Sequence, residues 1–143
     1  MIKQLGILGL ICISLSACTS IQVKNTDGFQ AKNLKQICII HNPKVIIDGF
    51  ENAMIQSFKR YNIQAQVYPE NSKPAFCEVT MTYTALRTWD VVTYLSYAQF
   101  NLYKDNQPVS EANFHLKGKG GFALNKWRST ETKVNELVDE LLK

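Results

Sequence analysis

The chain has 143 residues, of which 45% are hydrophobic and 20% are charged, and this predicts one small globular domain rather than a multidomain enzyme. Its 7 Gly and 4 Pro are too few for a collagen-like or low-complexity chain. Lys and Arg number 16 against 12 Asp and Glu, and the net charge of +4 is too mild and too scattered for a dedicated nucleic-acid-binding protein.

The first residues have the pattern of an export signal. Lys3 provides a positive charge, and an uncharged, mostly apolar run extends from Leu5 to Leu15. This run is well short of the roughly 20 residues that cross a bilayer as a helix. It ends in Leu15-Ser16-Ala17-Cys18. That tetrapeptide resembles the lipobox of bacterial lipoproteins, which consists of Leu, a small residue, Ala or Gly, and Cys.

The resemblance implies that residues 1–17 are a signal peptide and that Cys18 is the lipidation site, carrying acyl chains such as palmitate. Several acyl chains on one residue anchor a protein firmly. Thr19 follows, instead of the Asp that retains Gram-negative lipoproteins at the inner membrane. The resemblance therefore favours the outer membrane, facing the periplasm, with the inner membrane and the cell surface left open. The alternative is a plain secretory signal in which Cys18 is incidental.

Export also determines how the remaining cysteines are interpreted. The mature domain retains Cys38 and Cys77, and a pair of cysteines in a small exported domain is most often bridged. A bridge would close a loop of about 40 residues and contribute about 4 kcal/mol by constraining the unfolded chain. A metal or redox pair is the alternative, but there is no CxxC motif and neither histidine lies at ligand spacing.

The domain is predicted to begin after a flexible segment. Residues 18–34 are polar and lack sustained periodicity, which predicts a lipidated N-terminus and tether, whereas residues 35–143 form a single α+β periplasmic domain. The apolar run Gln36–His41 predicts a buried strand. Asp48 and Glu51 have the spacing of a capping box, so a helix should begin there. The alternating run Ile63–Tyr68 predicts a second strand, parallel to the first.

The second half of the chain predicts three strands and a helix. Apolar and polar residues alternate over Cys77–Leu86, Val91–Lys104 and Glu111–Lys117, with a tight connection at Arg87–Asp90, and these strands should form an antiparallel meander. A helix starting near Thr130 places one apolar stripe toward the core: Val134, Leu137, Val138, Leu141 and Leu142. The predicted fold class is α+β, a mixed, mainly antiparallel sheet with a three-stranded meander and two helices packed on one face.

Motifs for catalysis, metals and cofactors are absent from the sequence. His41 and His115 have no Asp or Glu at a metal-ligating offset, and HExxH and GxSxG do not occur. The glycine-rich stretch 118–121 lacks the spacing of a phosphate-binding loop. We therefore predict no catalytic residues, no metal site, no cofactor and no enzymatic activity.

Two surfaces are candidates for binding. If both helices cover one face of the sheet, the other face presents tyrosines among amides and hydroxyls, a composition typical of binding surfaces. Antiparallel sheets also commonly leave one such face in water, which is the alternative interpretation. The residues of this candidate binding face are Thr82, Tyr97, Gln99, Asn101, Tyr103, Asn113 and His115.

The second surface is a basic loop before the last helix. Its cations and tryptophan could contact anionic glycan or lipid headgroups, and the alternative is that the tryptophan packs in the core and pins the loop. The residues of this candidate basic loop are Lys117, Lys119, Lys126, Trp127 and Arg128.

These features favour a lipid-anchored periplasmic binding or adaptor protein of the bacterial cell envelope, without catalytic activity. In size, anchor and element order the chain is similar to small α/β lipoproteins that assist envelope machines. Its partners would be the membrane, through the acyl chains, and a protein or other envelope component, with no role for nucleic acid. Two alternatives are an immunity-type inhibitor of a secreted toxic enzyme and an unrecognised hydrolase.

Overall fold

The computed structural model describes residues 19–116 and 124–143. Over these residues the chain forms six strands, two α-helices and two short 3-10 turns. The strands are β1 (Thr19–Asn25), β2 (Gln36–Ile40), β3 (Gln64–Tyr68), β4 (Val79–Asp90), β5 (Val92–Lys104) and β6 (Gln107–Leu116). The helices are α1 (Phe50–Lys59) and α2 (Thr130–Leu141), and the 3-10 turns are Ala31–Asn33 and Leu124–Trp127.

The six strands form one mixed sheet in the order β1-β6-β5-β4-β2-β3. Strand β2 runs parallel to both β3 and β4, and α1 makes the crossover from β2 to β3. The other neighbours, β4 with β5, β5 with β6 and β6 with β1, are antiparallel. A mixed sheet with two helices packed against it confirms the predicted α+β class.

The core lies between the helices and one face of the sheet. Alternate residues of the central strands point into it, as the period of two in the sequence predicts, and the apolar stripes of both helices cover them. The strands contribute Met81, Ala98, Phe100, Leu102, Ala112 and Phe114, and the helices contribute Phe50, Met54, Phe58, Val134, Leu137, Val138 and Leu141.

Helix α1 does not begin with the predicted capping box. Its N-cap is Gly49, at φ 74°, where a residue without Cβ adopts the left-handed conformation at little strain, and no side chain caps the helix. Asp48 makes no cap bond, and the Glu51 carboxylate instead accepts a hydrogen bond from the Tyr83 hydroxyl on β4. The tertiary partner has replaced the local one.

The segment predicted as a tether contains a strand. Thr19–Asn25 is β1, which pairs along its whole length with β6, and Ala31 behind it is buried in the core. Ile21 and Val23 pack against the core from the edge of the sheet. The prediction of a flexible tether is therefore wrong for these residues. Two alternating apolar residues are enough to form a strand here, because the unpaired backbone groups at the edge of β6 provide hydrogen-bond partners.

The hairpin between β4 and β5 is longer than predicted. Arg87–Asp90 continues β4 instead of forming the connection, and the chain turns at Val91. The register shifts where Leu86 pairs with Tyr97 and Arg87 with Leu95, so Ser96 is an extra residue. This bulge changes the side-chain alternation, and Leu95, expected on the polar side, is buried in the core.

A disulfide joins Cys38 on β2 to Cys77 before β4, with Cα atoms 5.9 Å apart, which confirms the predicted bridge. Within residues 19–116 and 124–143, no helix is long and apolar enough to cross a membrane.

Candidate functional site

The sheet face opposite α1 and α2 has no helix of the described residues packed on it and is termed the open face. Because strand residues alternate between faces, the side chains that neighbour the core positions in sequence all point to this side. The open face contains every residue of the predicted binding face, Thr82, Tyr97, Gln99, Asn101, Tyr103, Asn113 and His115, together with Ser20, Gln22, Lys24, Thr80, Thr84 and Glu111.

Strand register arranges the centre of the open face in two rows across four strands. The first row is Gln22, Asn113, Gln99 and Thr84. The second row is Lys24, Glu111, Asn101 and Thr82. Directly opposite side chains on antiparallel strands lie about 5 Å apart at Cβ, so each row is a continuous line of hydrogen-bonding groups.

Hydrogen bonds also run along β5 and orient these groups. The Tyr97 hydroxyl donates to Gln99 Oε1 at 2.5 Å, and Gln99 Nε2 donates to Asn101 Oδ1 at 3.0 Å. The Tyr97 ring meets the His115 ring edge-on, with centroids 6.1 Å apart. His115 is exposed, whereas Tyr97, Gln99 and Asn101 are half-buried. Neither helix covers these three side chains, and they are half-buried because they pack on one another. The face is therefore an ordered polar surface with the Tyr97 and His115 rings at one end and the Tyr103 ring at the other.

Strand β1 contributes residues that the sequence analysis missed. Ser20, Gln22 and Lys24 occupy the open face because β1 pairs with β6 in a register that aligns Gln22 with Asn113. The sequence signal for these three residues is that they alternate with two apolar residues, Ile21 and Val23. The face is thus one strand wider than predicted.

A polar cluster lies next to the open face, at the end of β2. Glu51 Oε1 accepts a hydrogen bond of 2.5 Å from the Tyr83 hydroxyl and lies 2.6 Å from His41 Nδ1. Asn42 closes the cluster, since its backbone N–H donates to the Tyr83 hydroxyl and its side-chain amide to the Tyr83 carbonyl. Four residues from three elements are thereby held together.

The pKa directions in this cluster follow from burial and hydrogen bonding. Burial raises the pKa of Glu51, but the hydrogen bond from Tyr83 and the contact with His41 outweigh burial, and the pKa lies below its ordinary value. Burial, and then the hydrogen bond to Glu51, raises the pKa of Tyr83 well above its ordinary value. The cluster therefore holds an ionised Glu51 and a neutral Tyr83.

The cluster borders a cleft of about 460 Å³, lined by Ile40, His41, Asn42, Pro43, Lys44, Glu70, Thr82, Tyr83 and Thr84. In a site for nucleophilic catalysis, a carboxylate orients a histidine, and the same histidine ring is hydrogen-bonded to a nucleophilic hydroxyl or thiol. Among the described residues, no hydroxyl or thiol is hydrogen-bonded to His41. What the arrangement provides is a rigid polar corner next to Thr82.

The described part of the candidate basic loop has its cations paired. Lys126 is 4% exposed and binds Asp90, and Arg128 binds Glu136. Trp127 is 45% exposed, and the Lys126 ammonium lies 4.4 Å from the centre of its ring. Trp127 therefore does not pack in the core, as the alternative interpretation expected. Lys117 and Lys119 lie outside the described residues, as does Cys18.

A second buried lysine supports this region. Lys133 is 2% exposed, and its ammonium donates to the backbone carbonyls of Leu95, at 2.9 Å, and Lys126, at 2.6 Å. Burial, with a smaller effect of the Arg128 charge, lowers the pKa of Lys133 to about 8. Lys133 therefore fixes the 3-10 turn before α2 against β5.

No cluster of three or more His, Cys, Asp or Glu side chains suited to a metal ion occurs within residues 19–116 and 124–143.

The fold is similar to that of PelC from Paraburkholderia phytofirmans, whose structures are of a dodecamer. One, of a point variant, matches with a TM-score of 0.59 at 7% identity and covers 87% of this chain and 97% of PelC. Another matches with a TM-score of 0.53 at 11% identity and covers 85% of this chain and 96% of PelC. At these identities the likeness is one of fold. The sequence matches no protein-family model and no curated protein.

Proposed function

We propose that this chain is a lipid-anchored, non-catalytic binding or adaptor protein of the bacterial envelope, attached to the outer membrane and facing the periplasm. The proposal assigns partner binding to the open face. The observation that carries it is the hydrogen-bonded line of Tyr97, Gln99 and Asn101, which is ordered although neither α1 nor α2 covers it.

The composition of the open face favours a binding surface over a solvated one. In its two central rows the only charged residues are Lys24 and Glu111, which face each other at the β1 edge. The other positions are amides and threonines. Protein interfaces are depleted of charge at their centre, and Tyr and short amides make contacts at a low cost in conformational entropy.

The anchor part of the proposal rests on the leader sequence. Leu15-Ser16-Ala17-Cys18 follows an apolar run of the length of a signal peptide, and several acyl chains on Cys18 would hold the domain at a membrane. The bridge between Cys38 and Cys77 supports the same location, because such bridges persist in oxidising compartments.

Site-specific photocrosslinking tests the proposal. A benzoylphenylalanine placed at Gln99, in cells expressing the full chain, should form an adduct with an envelope component. The matched control is the same probe at Gln56, an exposed position on α1 on the opposite side of the molecule. We expect adducts from Gln99 and a second open-face position, Asn113, and none from Gln56.

The identity of the adduct separates the alternatives. A membrane-complex protein or a glycan supports the adaptor, and a second copy of this chain, as in the PelC dodecamer, supports self-assembly through the face. A single secreted hydrolase would instead indicate an immunity protein. Equal labelling from Gln99 and Gln56 would contradict the assignment of the open face.

The hydrolase alternative has its own test. The purified protein should show no turnover of glycan or ester substrates above that of the His41→Ala variant, because no hydroxyl or thiol within residues 19–116 and 124–143 is hydrogen-bonded to His41. Turnover that is lost in His41→Ala or His115→Ala would contradict a non-catalytic role.

A further inference from the structure

The β4–β5 hairpin ends in exposed apolar side chains. Trp89 is 73% exposed, Val91 is 77% exposed and Val92 is 52% exposed. Large apolar residues occur singly on most protein surfaces, but three within four positions at a hairpin tip form a patch. These residues belong to the hairpin tip, residues 89–92, and among the large apolar side chains of the described residues only Ile46, at 78%, is more exposed than Val91 and Trp89.

The backbone at the tip adds an independent observation. Val91 has φ 64°, in the left-handed region that suits Gly or Asn and strains a β-branched residue. Its side chain is exposed, so it contributes little to the core that could offset this strain. An apolar side chain at a strained and exposed position indicates a contact with something outside the fold.

The tip lies at the same end of the sheet as the start of the described chain. Leu86, Tyr97, His115 and Ser20 form one row across β4, β5, β6 and β1. Strand β1 continues only one residue beyond this row, to Thr19, whereas β4 continues to Asp90. At about 3.3 Å per residue, the turn at Val91 lies roughly 16 Å beyond the row.

In the sequence, no tether separates the proposed lipidation site from the sheet. Cys18 immediately precedes Thr19, the first residue of β1, and one peptide link spans less than about 4 Å. Acyl chains on Cys18 would bring this end of the sheet to the lipid surface. The hairpin extends beyond the described ends of β1 and β6 and would then reach into the lipid.

The base of the hairpin is suited to a membrane surface. Lys126 forms an ion pair with Asp90, and the two charges neutralise each other. The Lys126 ammonium also lies against the half-exposed indole ring of Trp127. Tryptophan is enriched at the membrane interface, where its ring is apolar and its N–H reaches water. Both tryptophans of the chain are thus at the same end of the molecule.

We propose that the β4–β5 hairpin tip inserts Trp89, Val91 and Val92 into the lipid layer beside the acylated cysteine, so that the domain is held at a fixed orientation by two contacts. The inference rests on the acyl anchor of the proposed function and goes beyond it. With the tip in the lipid, the strands run toward the membrane and the open face stands beside it, accessible to a partner in the periplasm.

Tryptophan quenching in vesicles tests the insertion. The acylated full chain with Trp127→Phe retains Trp89 as its only tryptophan. It is placed in vesicles of phosphatidylethanolamine and phosphatidylglycerol with and without bromine on the acyl chains. We expect bromine to reduce Trp89 emission by about half or more, with a blue-shifted maximum, because the indole lies within the lipid.

The matched control places the reporter at the other end of the sheet. In a chain with both tryptophans replaced by Phe, Gln107→Trp puts the indole at an exposed position beside the β5–β6 turn. Its emission should be unaffected by bromine. Quenching of Trp89 no greater than that of this control would overturn the insertion.

Two further measurements distinguish failure of the insertion from failure of the anchor. Flotation shows whether the protein is bound to the vesicles, and mass spectrometry shows whether it carries acyl chains. A protein that floats and carries acyl chains, but whose Trp89 is not quenched, contradicts the hairpin proposal alone. A protein without acyl chains that does not float contradicts the anchor. A double variant, Trp89→Ser with Val92→Ser, should float through its acyl chains, and its Trp127 should be quenched less than the Trp127 of a Trp89→Phe chain.

Discussion

Lys133 is buried, although a lysine side chain usually stays in water. A buried lysine is usually paired with an acidic group, whereas the hydrogen-bond partners of Lys133 among the described residues are two backbone carbonyls. It lies one residue before Val134, at the border of the apolar stripe of α2, where no sequence pattern predicts burial. The Tyr94 and Phe114 rings face its ammonium, at 5.5 Å and 5.7 Å.

The burial of Lys133 predicts that the protein becomes more stable in mild alkali. Its pKa is about 8 in the folded protein and 10.5 in the unfolded chain. The fold therefore prefers the neutral amine, and protonation opposes folding. Below pH 8 both states carry the charge and the penalty is complete, and it falls as the pH rises toward 10.5, by on the order of 3 kcal/mol.

Urea unfolding between pH 8 and pH 10 measures this effect. The upper limit is set by Tyr83, whose raised pKa makes the fold lose stability above pH 10. The free energy of unfolding should rise over this range in the native chain and stay flat in Lys133→Met, while the exposed Lys59→Met variant should retain the rise. A flat profile in the native chain would mean that Lys133 is solvated.

Val91 supports a second prediction at the residue scale. Replacing it by Asn relieves the left-handed strain, because Asn tolerates this conformation. We expect Val91→Asn to raise the free energy of unfolding by up to about 1 kcal/mol, whereas Val92→Asn, at an ordinary strand position, gives no such gain. Thermal unfolding of the two variants checks this, and a loss of stability in Val91→Asn equal to that in Val92→Asn would remove the argument from strain.

Some contacts of single residues could be predicted from the sequence, and others could not. The bridge between Cys38 and Cys77 was predictable because cysteine count and export need no geometry. The partner of Glu51 was not, since a capping box is a local pattern and Tyr83 lies 32 residues away. Local rules describe a residue correctly only while no tertiary contact offers a better hydrogen bond.

At the scale of elements, long periodic segments were predicted well and edges were not. The stripe of α2 and the alternation of β4 and β6 depend on many residues, and each is found as expected. Strand β1 has only Ile21 and Val23 as apolar residues on its core side, and its stability comes from pairing with β6. The bulge at Ser96 is equally hidden, because one extra residue leaves no mark in the composition.

Hydrogen exchange tests the reassignment of β1. If Thr19–Asn25 is paired with β6, alternate amides of this segment should exchange at least about ten-fold more slowly than those of an unstructured peptide of the same sequence. Peptide-resolved mass spectrometry of the full chain measures this. Exchange at the unstructured rate throughout the segment would restore the tether.

Loss of the disulfide should destabilise the fold substantially. The bridge spans 39 positions in sequence, and releasing that loop lowers the free energy of unfolding by about 4 kcal/mol in the chain-entropy model. We expect the Cys38→Ala, Cys77→Ala double variant to unfold at a clearly lower urea concentration than the native chain, and the reduced native chain to match it. Equal midpoints for the oxidised native chain and the variant would show that the loop is already constrained.

The sheet has one face covered by α1 and α2 and one open face, and the proposed partner surface follows from that asymmetry. The sequence predicts the open face from its period-two pattern, which assigns Gln99 and Asn113 to the same side once two helices are placed opposite. It cannot give the width of the face or the rows, because register and strand order depend on pairing between distant segments. The chemistry of the surface was thus predictable, and its extent was not.

The central claim, that the open face is covered by a partner in the envelope, is tested by hydroxyl-radical footprinting of native tyrosines. Tyr97 and Tyr103 lie on the open face, and Tyr61, which is 44% exposed on the helix side, is an internal control. Oxidation of Tyr97 and Tyr103, measured by mass spectrometry, should be several-fold lower in intact envelopes than in the purified acylated protein, with Tyr61 unchanged. Equal oxidation of the open-face tyrosines in both preparations would contradict the claim.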